Sequence, residues 1–276
     1  MNEPIVEDIV SDCEKRFVYP DLLVIDYFQK YRKGYYSSLE LGLLNRYRNY
    51  VNLLTFIDEI HEFKKQHGNS YAKRFRENGK DWRNSEAIFS EVIVYRHYIR
   101  TKHEGLIKAI ELQETESDII IERNDGTKLY LEVFCVMPSF RNPEDKGSVV
   151  YEVKTHTQMA PSSIRQKLLK KILTQQQLSK CRENYAVIEL NDPSIAGDFS
   201  ILSSLSNGYT ITFNKETMQK VSEGYNWNGS VFEDPSAQYV KGIIYFSLGD
   251  YESRKFIFNP NFNGSTSSNN GIKPTP

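Results

Sequence analysis

The sequence predicts an α/β fold: a mixed α/β domain behind a helical N-terminal region. Three observations carry this expectation. Apolar residues recur at helical spacing in the first 84 residues, two alternating apolar-polar runs flank Asn124-Asp125-Gly126, and a short apolar run at Tyr185–Leu190 follows a helical pattern.

The N-terminal region, 1–84, is expected to be helical. From Leu39 to Phe63 the residues Leu43, Tyr47, Tyr50, Leu54, Ile57 and Ile60 fall on one helical face. Gly68-Asn69 is expected to end that helix. A short basic helix and the turn-like Glu77-Asn78-Gly79 follow. The α/β core is expected over 85–262 and opens with a helix over 85–101. Ser85 is its expected N-cap, and Glu86 lies in the first turn, where the helix dipole favours a carboxylate. Ile88, Val92, Tyr95 and Ile99 mark the buried stripe, with Glu91 at its margin. Residues 137–160 read as irregular, with a β-like run at Val149–Val153. A third helix is expected over 162–180, opened by Ser162-Ser163 and burying Ile164, Leu168 and Ile172. The run Tyr185–Leu190 reads as a buried strand. Further strands are expected at Tyr209–Phe213, Val240–Phe246 and Lys255–Phe258, and 263–276 as a flexible polar tail.

Composition narrows the function classes. Of 276 residues, 39% are hydrophobic and 26% charged, which suits a soluble globular protein. The net charge of −1 excludes chain-wide attraction to nucleic acid, so such a partner must use a local patch. Cys13, Cys135 and Cys181 are too scattered for a disulfide framework or a zinc pattern, and point to a reducing compartment. The N-terminus reads as lacking a signal peptide, and no apolar stretch has the length of a bilayer span, so a cytoplasmic protein without membrane contact is expected. There is no glycine-rich phosphate loop and no Gly-x-Ser-x-Gly elbow. His61 and His67 are six apart, which misaligns them on a helix, and His97, His103 and His156 have no ligand spacing.

Residues 116–134, ESDIIIERNDGTKLYLEVF, pose a register question. With Asn124-Asp125-Gly126 as a three-residue loop, Gly126 takes the left-handed position and Arg123 pairs with Thr127. Asp118 then lies opposite Glu132, Ile120 opposite Tyr130 and Glu122 opposite Lys128. The other face is apolar throughout: Ile119, Ile121, Leu129, Leu131 and Val133. A two-residue loop would put the two carboxylates on opposite faces. The three-residue register sorts the side chains cleanly and places Asp118 beside Glu132, where like charges repel unless a divalent cation joins them. Hard oxygen donors without nearby His or Cys suit Mg²⁺ or Mn²⁺. The alternative is an ordinary hairpin with a polar edge.

The order helix with glutamate (Glu91 in FSEVIVYRHY), strand opening with aspartate (Asp118), strand carrying glutamate (Glu132), helix with Lys and Gln (IRQKLLKKILTQQQL) and buried strand (YAVIEL) resembles the PD-(D/E)XK, or restriction-endonuclease-like, superfamily over about 85–260. The resemblance implies a restriction-endonuclease-like core, a mixed central sheet flanked by helices. It also implies metal-dependent hydrolysis of phosphodiester bonds of DNA, or of RNA. Asp118 and Glu132 would be the metal ligands, Glu91 could complete the shell, and a homodimer could reach two strands. One departure stands out: the family's lysine would fall at 134, which is Phe134. Lys167 and Lys171, four apart on the third helix with Gln175 in the same row, are the candidate replacements. A literal Glu-x-Lys at Glu152-Val153-Lys154 follows Asp145 too closely for two paired strands, and Lys154 is kept as an outside candidate.

Two basic stretches could grip phosphates: Arg165, Lys167, Lys170, Lys171, Lys180 and Arg182 in one, and 64–83 in the other, where Tyr71, Phe75 and Trp82 could stack on bases. Solvated helix faces are the plain alternative. Two further function classes stay open: a catalytically inactive nucleic-acid-binding module of the same fold, and a protein-interaction domain using the Tyr-rich helices.

Overall fold

The computed structural model describes residues 16–25, 50–113, 117–136, 164–174, 178, 182–192 and 195–263. Three helices, α1 (Tyr50–Phe63), α2 (Lys65–Asn78) and α3 (Trp82–His103), precede three strands, β1 (Ile107–Gln113), β2 (Ser117–Arg123) and β3 (Lys128–Val136). Helix α4 (164–174) precedes β4 (Glu183–Leu190), and α5 (Asp198–Leu205) precedes the hairpin β5 (Tyr209–Phe213) and β6 (Lys220–Tyr225). Strands β7 (Val240–Ser247) and β8 (Asp250–Phe258) follow. The six-stranded sheet runs β1-β2-β3-β4-β7-β8. It is mixed: β3, β4 and β7 are parallel and the other pairs antiparallel.

Helix α3 packs on the sheet with one side and on α1 and α2 with the other. That explains its nearly continuous burial from Ile88 to Tyr95. One core joins Leu54, Ile57 and Phe75 of α1 and α2, Val92 of α3, and Ile119, Ile121, Leu131 and Val133 of the sheet. On the opposite face Phe134 and Val136 pack with Ile164, Leu168 and Ile172 of α4. The alternation of β2 and β3 therefore distributes side chains as the hairpin register requires.

Several expectations need correction. The first helix stops before Lys64, and Gly68 lies inside α2, not at a helix end. A Cβ at Gly68 would stand 2.6 Å from His61 Cβ and 2.7 Å from His61 Cα, so the missing side chain lets α1 and α2 touch. Gly68→Ala is expected to destabilise the fold by about 1–3 kcal/mol, because a backbone atom must give way; thermal unfolding measures it. The N-cap of α3 is Asp81, accepting from the Arg83 and Asn84 amides at 2.9 and 3.2 Å. Ser85 sits one turn inside and donates to the Asn78 carbonyl at 3.0 Å. Glu86 is fully buried and accepts from Asn191 at 2.7 Å, so it serves packing between α3 and the sheet more than the helix dipole. Strands β1 and β6 were not expected. The expected helix over 39–49, the irregular stretch 137–160, residues 162–163, 175–177 and 179–180, and the tail from 264 lie outside the described residues. Among the described residues no helix is long and apolar enough to cross a membrane.

The hairpin β5–β6 forms a sheet of its own, apart from the six-stranded one. Ile211, Phe213, Met218 and Val221 are exposed on it.

Candidate active site

The three-residue loop forms as the register requires. The Arg123 amide donates to the Thr127 carbonyl at 2.8 Å, the Gly126 amide to the Arg123 carbonyl at 3.0 Å, and Gly126 has φ +83°. Asp125 accepts from the Thr127 amide at 2.9 Å and fixes the turn. Ile119 pairs with Leu131, Ile120 with Tyr130, Ile121 with Leu129 and Glu122 with Lys128. Beyond Ile119 the strands part, and the Asp118 side chain takes over: its Oδ2 accepts from the Val133 amide at 2.7 Å. That bond gives an otherwise unpaired strand N–H a partner and holds Asp118 beside Glu132.

Glu132 is wholly buried on the α4 face of the sheet. Lys171 of α4 reaches down to it, Nζ donating to Glu132 Oε1 in a short contact. Lys167, one turn earlier, donates to the Cys135 carbonyl at 2.8 Å. Both lysines of the row therefore face β3, and Lys171 is the one on the carboxylates. Lys171 lies in a π-helical turn, Lys170–Thr174, a local widening that recurs at functional sites. Phe134 explains its own departure from the expected lysine. It lies two residues beyond Glu132 on the same face and fills the core under α4, so the cation comes from the helix above.

The remaining Glu132 oxygen, Oε2, is buried without a hydrogen-bond donor. Burial, then the Asp118 carboxylate, push Glu132 up to about 7, against the pull of Lys171. Burial also raises Asp118, opposed by Lys171, the Val133 amide and Arg74. The Asp118 carboxylate opposes ionisation of Glu132, as like charges set side by side in a buried place do. A buried carboxylate oxygen with no donor, beside a second carboxylate, is a donor set that a hard divalent cation fits.

Glu91 sits 4% exposed on α3. Arg74 of α2 grips both its oxygens, Nη1 to Oε2 at 2.5 Å and Nη2 to Oε1 at 2.7 Å. Burial, then Asp118, raise the Glu91 pKa and Arg74 opposes this. Two N–H groups on two oxygens suit the ionised form, so the fork offsets part of that pressure without cancelling it, and Glu91 stays raised to about 8. Among the described residues no three His, Cys, Asp or Glu side chains converge closely enough to hold an ion together. The pair Asp118–Glu132 is thus the candidate ligand set, and Glu91, committed to Arg74, stays outside it. Arg74 was not singled out in the sequence; its partner is 17 residues away on another helix, and nothing in the local pattern marks the pairing.

The basic stretches are largely used inside the molecule. In 64–83, Lys64 pairs with Glu111, Lys73 with Glu77, Arg74 with Glu91 and Arg76 with Asp21. Tyr71 and Phe75 are fully buried and cannot stack on bases, which corrects the expectation for both. In the other stretch, Arg165 donates to the carbonyls of Ser206 and Gly229, each at 3.1 Å, and Arg182 lies 3.9 Å over the Tyr130 ring. Lys65, Lys80, Arg83 and Lys170 remain exposed. His67 Nδ1 lies 2.5 Å from the Tyr95 hydroxyl and His61 Nδ1 2.5 Å from that of Tyr19, so these histidines have structural partners. Lys154 lies outside the described residues. Comparison with protein-family models, curated proteins and solved structures finds no match to this chain.

Proposed function

We propose that the chain is a metal-dependent nuclease that hydrolyses phosphodiester bonds of DNA, or of RNA. The observation that carries this reading is the Lys171 ammonium on Glu132, beside Asp118. It supplies from α4 the cation that Phe134 cannot. The succession α3, antiparallel β1-β2-β3, α4, and β4 parallel to β3 agrees with the restriction-endonuclease-like core implied by the resemblance, and supports the same reading.

Asp118 and Glu132 would hold Mg²⁺ or Mn²⁺, which supplies Lewis acidity and a hydroxide at neutral pH. The chain's own residues do the rest. The Val133 amide fixes Asp118 in one rotamer, and the sheet buries Glu132, so the pair is preorganised. Lys171 Nζ, with two N–H groups beyond the one given to Glu132, can orient a water and offset charge developing on the phosphate. Lys65, Lys80, Arg83 and Lys170 are exposed and free to meet the phosphate backbone.

A second reading, a protein-interaction domain, is favoured by the exposed apolar side chains of β5–β6. A homodimer serving two strands could use the same hairpin.

The test is cleavage of single- and double-stranded DNA and RNA by purified protein with Mg²⁺ or Mn²⁺. Metal-dependent cleavage is expected, with loss of at least about two orders of magnitude in Asp118→Ala, since removing a direct ligand costs at least as much as removing an outer-shell partner. Salt-sensitive binding without metal and without cleavage would instead identify an inactive binding module. No affinity for nucleic acid at low salt would favour the interaction domain.

A further inference from the structure

Residues 207–223 are all exposed, although β5 and β6 pair within them as a hairpin. A two-stranded hairpin alone in water is marginal, and gains stability from a further strand or a packed face. Its two edges differ. On β6, Ser222 pairs with Thr212 and Lys220 with Phe213, which leaves Val221 as a bulge. The same strand carries Gly224 and the charged pair Lys220–Glu223, joined at 2.8 Å. Bulges and charges are what blunt a strand edge. Strand β5, Tyr209-Thr210-Ile211-Thr212-Phe213, has no charge, proline or glycine and only β-branched and aromatic side chains. On its inner side the Gly208 carbonyl accepts from the Asn226 amide at 2.9 Å, and the Asn214 amide donates to the Gln219 carbonyl at 2.8 Å. Hydrogen-bonding direction alternates along a strand, so the N–H and C=O groups of Tyr209, Ile211 and Phe213 point to the open edge.

Read from either end, β5 is aromatic, Thr, Ile, Thr, aromatic. We infer that β5 pairs antiparallel with β5 of a second copy of this chain, about a two-fold axis through Ile211, forming a four-stranded sheet across a dimer. Ile211 then exchanges both backbone hydrogen bonds with Ile211 of the other copy, and Tyr209 with the other copy's Phe213. Thr210 faces Thr212. Aromatic and Thr–Thr pairs set opposite each other stabilise antiparallel strands, and no like charges meet. The contact is the same patch on both chains, so it closes at two copies. The blunted β6 edges stop the sheet from growing further. Five residues a side is well below the roughly 20–30 of a standard interface, so the dimer is expected to be weak, with a dissociation constant of about 1–100 µM. The inference stands apart from the metal-site reading and supplies the contact for a homodimer.

Sedimentation velocity without metal, at loadings of about 1–300 µM, tests this. The wild type is expected to pass from monomer to dimer across that range. Ile211→Lys and Ile211→Glu each bring like charges together on the axis, and each alone should weaken association at least about tenfold. Mixed in equal amounts, the two variants should associate again, since the axis sets lysine against glutamate. Val221→Lys makes a comparable change on the β6 edge and should leave the affinity within about threefold of wild type. Circular dichroism confirms that each variant is folded. Amide exchange in the wild type needs no variant: Tyr209, Ile211 and Phe213 should be protected at the high loading and exchange freely at the low one. A wild type that stays monomeric, or β5 amides that exchange alike at both loadings, would overturn the inference. So would a folded Ile211→Lys that dimerises as wild type does, mixed variants that stay apart, or a dimer lost in Val221→Lys.

Discussion

Lys171→Met is expected to lower metal-dependent cleavage by about two to three orders of magnitude, the size of loss that follows removal of one preorganised charge stabiliser. The side chain keeps its length and its packing against β3 but loses the ammonium. Two consequences follow from the geometry. Lys171 opposes the raised pKa of Glu132, so without it Glu132 rises further and holds its proton to higher pH. The acid limb of the pH–rate profile should therefore move alkaline, and part of the lost activity should return near pH 9. Stability should show the opposite pH dependence. Below the pH at which Glu132 ionises, the variant should match the wild type. Above it, a buried carboxylate without its cation should cost about 3–5 kcal/mol at most. Rates across pH at saturating Mn²⁺, with urea unfolding at pH 5.5 and 8.5, measure both. A variant with wild-type rates would remove Lys171 from the chemistry and leave it a structural partner of Glu132.

What was legible in the sequence here, and what was not, follows from the range of the interactions. The hairpin register was legible because it depends on five consecutive residues: Gly126 has φ +83°, and the Arg123 and Thr127 backbones close around it. The apolar face of β2 and β3 followed from simple alternation. Strand β1 was not legible, because register shifts at Ile107/Ala109 and Leu112/Gln113 break the period of two. Gly68 misled for a different reason. Its composition says helix end, but a tertiary close approach to His61 keeps it inside α2. Asp81 was missed as N-cap because Ser85 stands nearer the first strongly periodic residue.

The site divides along the same line. Asp118 and Glu132 lie on one hairpin, so their adjacency could be argued from local pairing. The four-residue spacing of Lys167 and Lys171 put them on one helix face. That this face covers β3 depends on the crossover that makes β4 parallel to β3, which no local pattern states. Tyr71 and Phe75 looked like stacking aromatics only because the packing of α1 against α2 is invisible in the string; both are fully enclosed there. The Arg74–Glu91 fork joins two helices through a tertiary contact, and its discovery required the fold.

Glu132→Gln should abolish cleavage and stabilise the protein at the same time, and the two effects have one cause. Glu132 is completely buried beside a second carboxylate, and its pKa is raised from the usual carboxylate range to about 7. A carboxyl raised in the folded state binds more protons there than in the unfolded chain. Its stabilising contribution is present below the unfolded value and is lost as pH rises through the folded one. The wild type should therefore lose stability between about pH 4.5 and 7 from this group alone, and stay lower above that. Glutamine has no such charge to bury. Its oxygen can still accept from Lys171, and its amide can donate to Asp118, replacing a repulsion with a hydrogen bond. Near pH 5 the variant and wild type should unfold at similar denaturant concentrations. At pH 8 the variant should be more stable by about 1–3 kcal/mol. Divalent metal separates the two further: Mn²⁺ should stabilise the wild type at pH 8, since it binds only the folded pair, and should leave Glu132→Gln unmoved. Equal stabilities at pH 8, or a variant less stable than the wild type there, would mean that Glu132 is a structural partner of Lys171 first. The expected pattern instead marks a carboxylate kept at a cost to the fold, which is what a binding site for a cation requires.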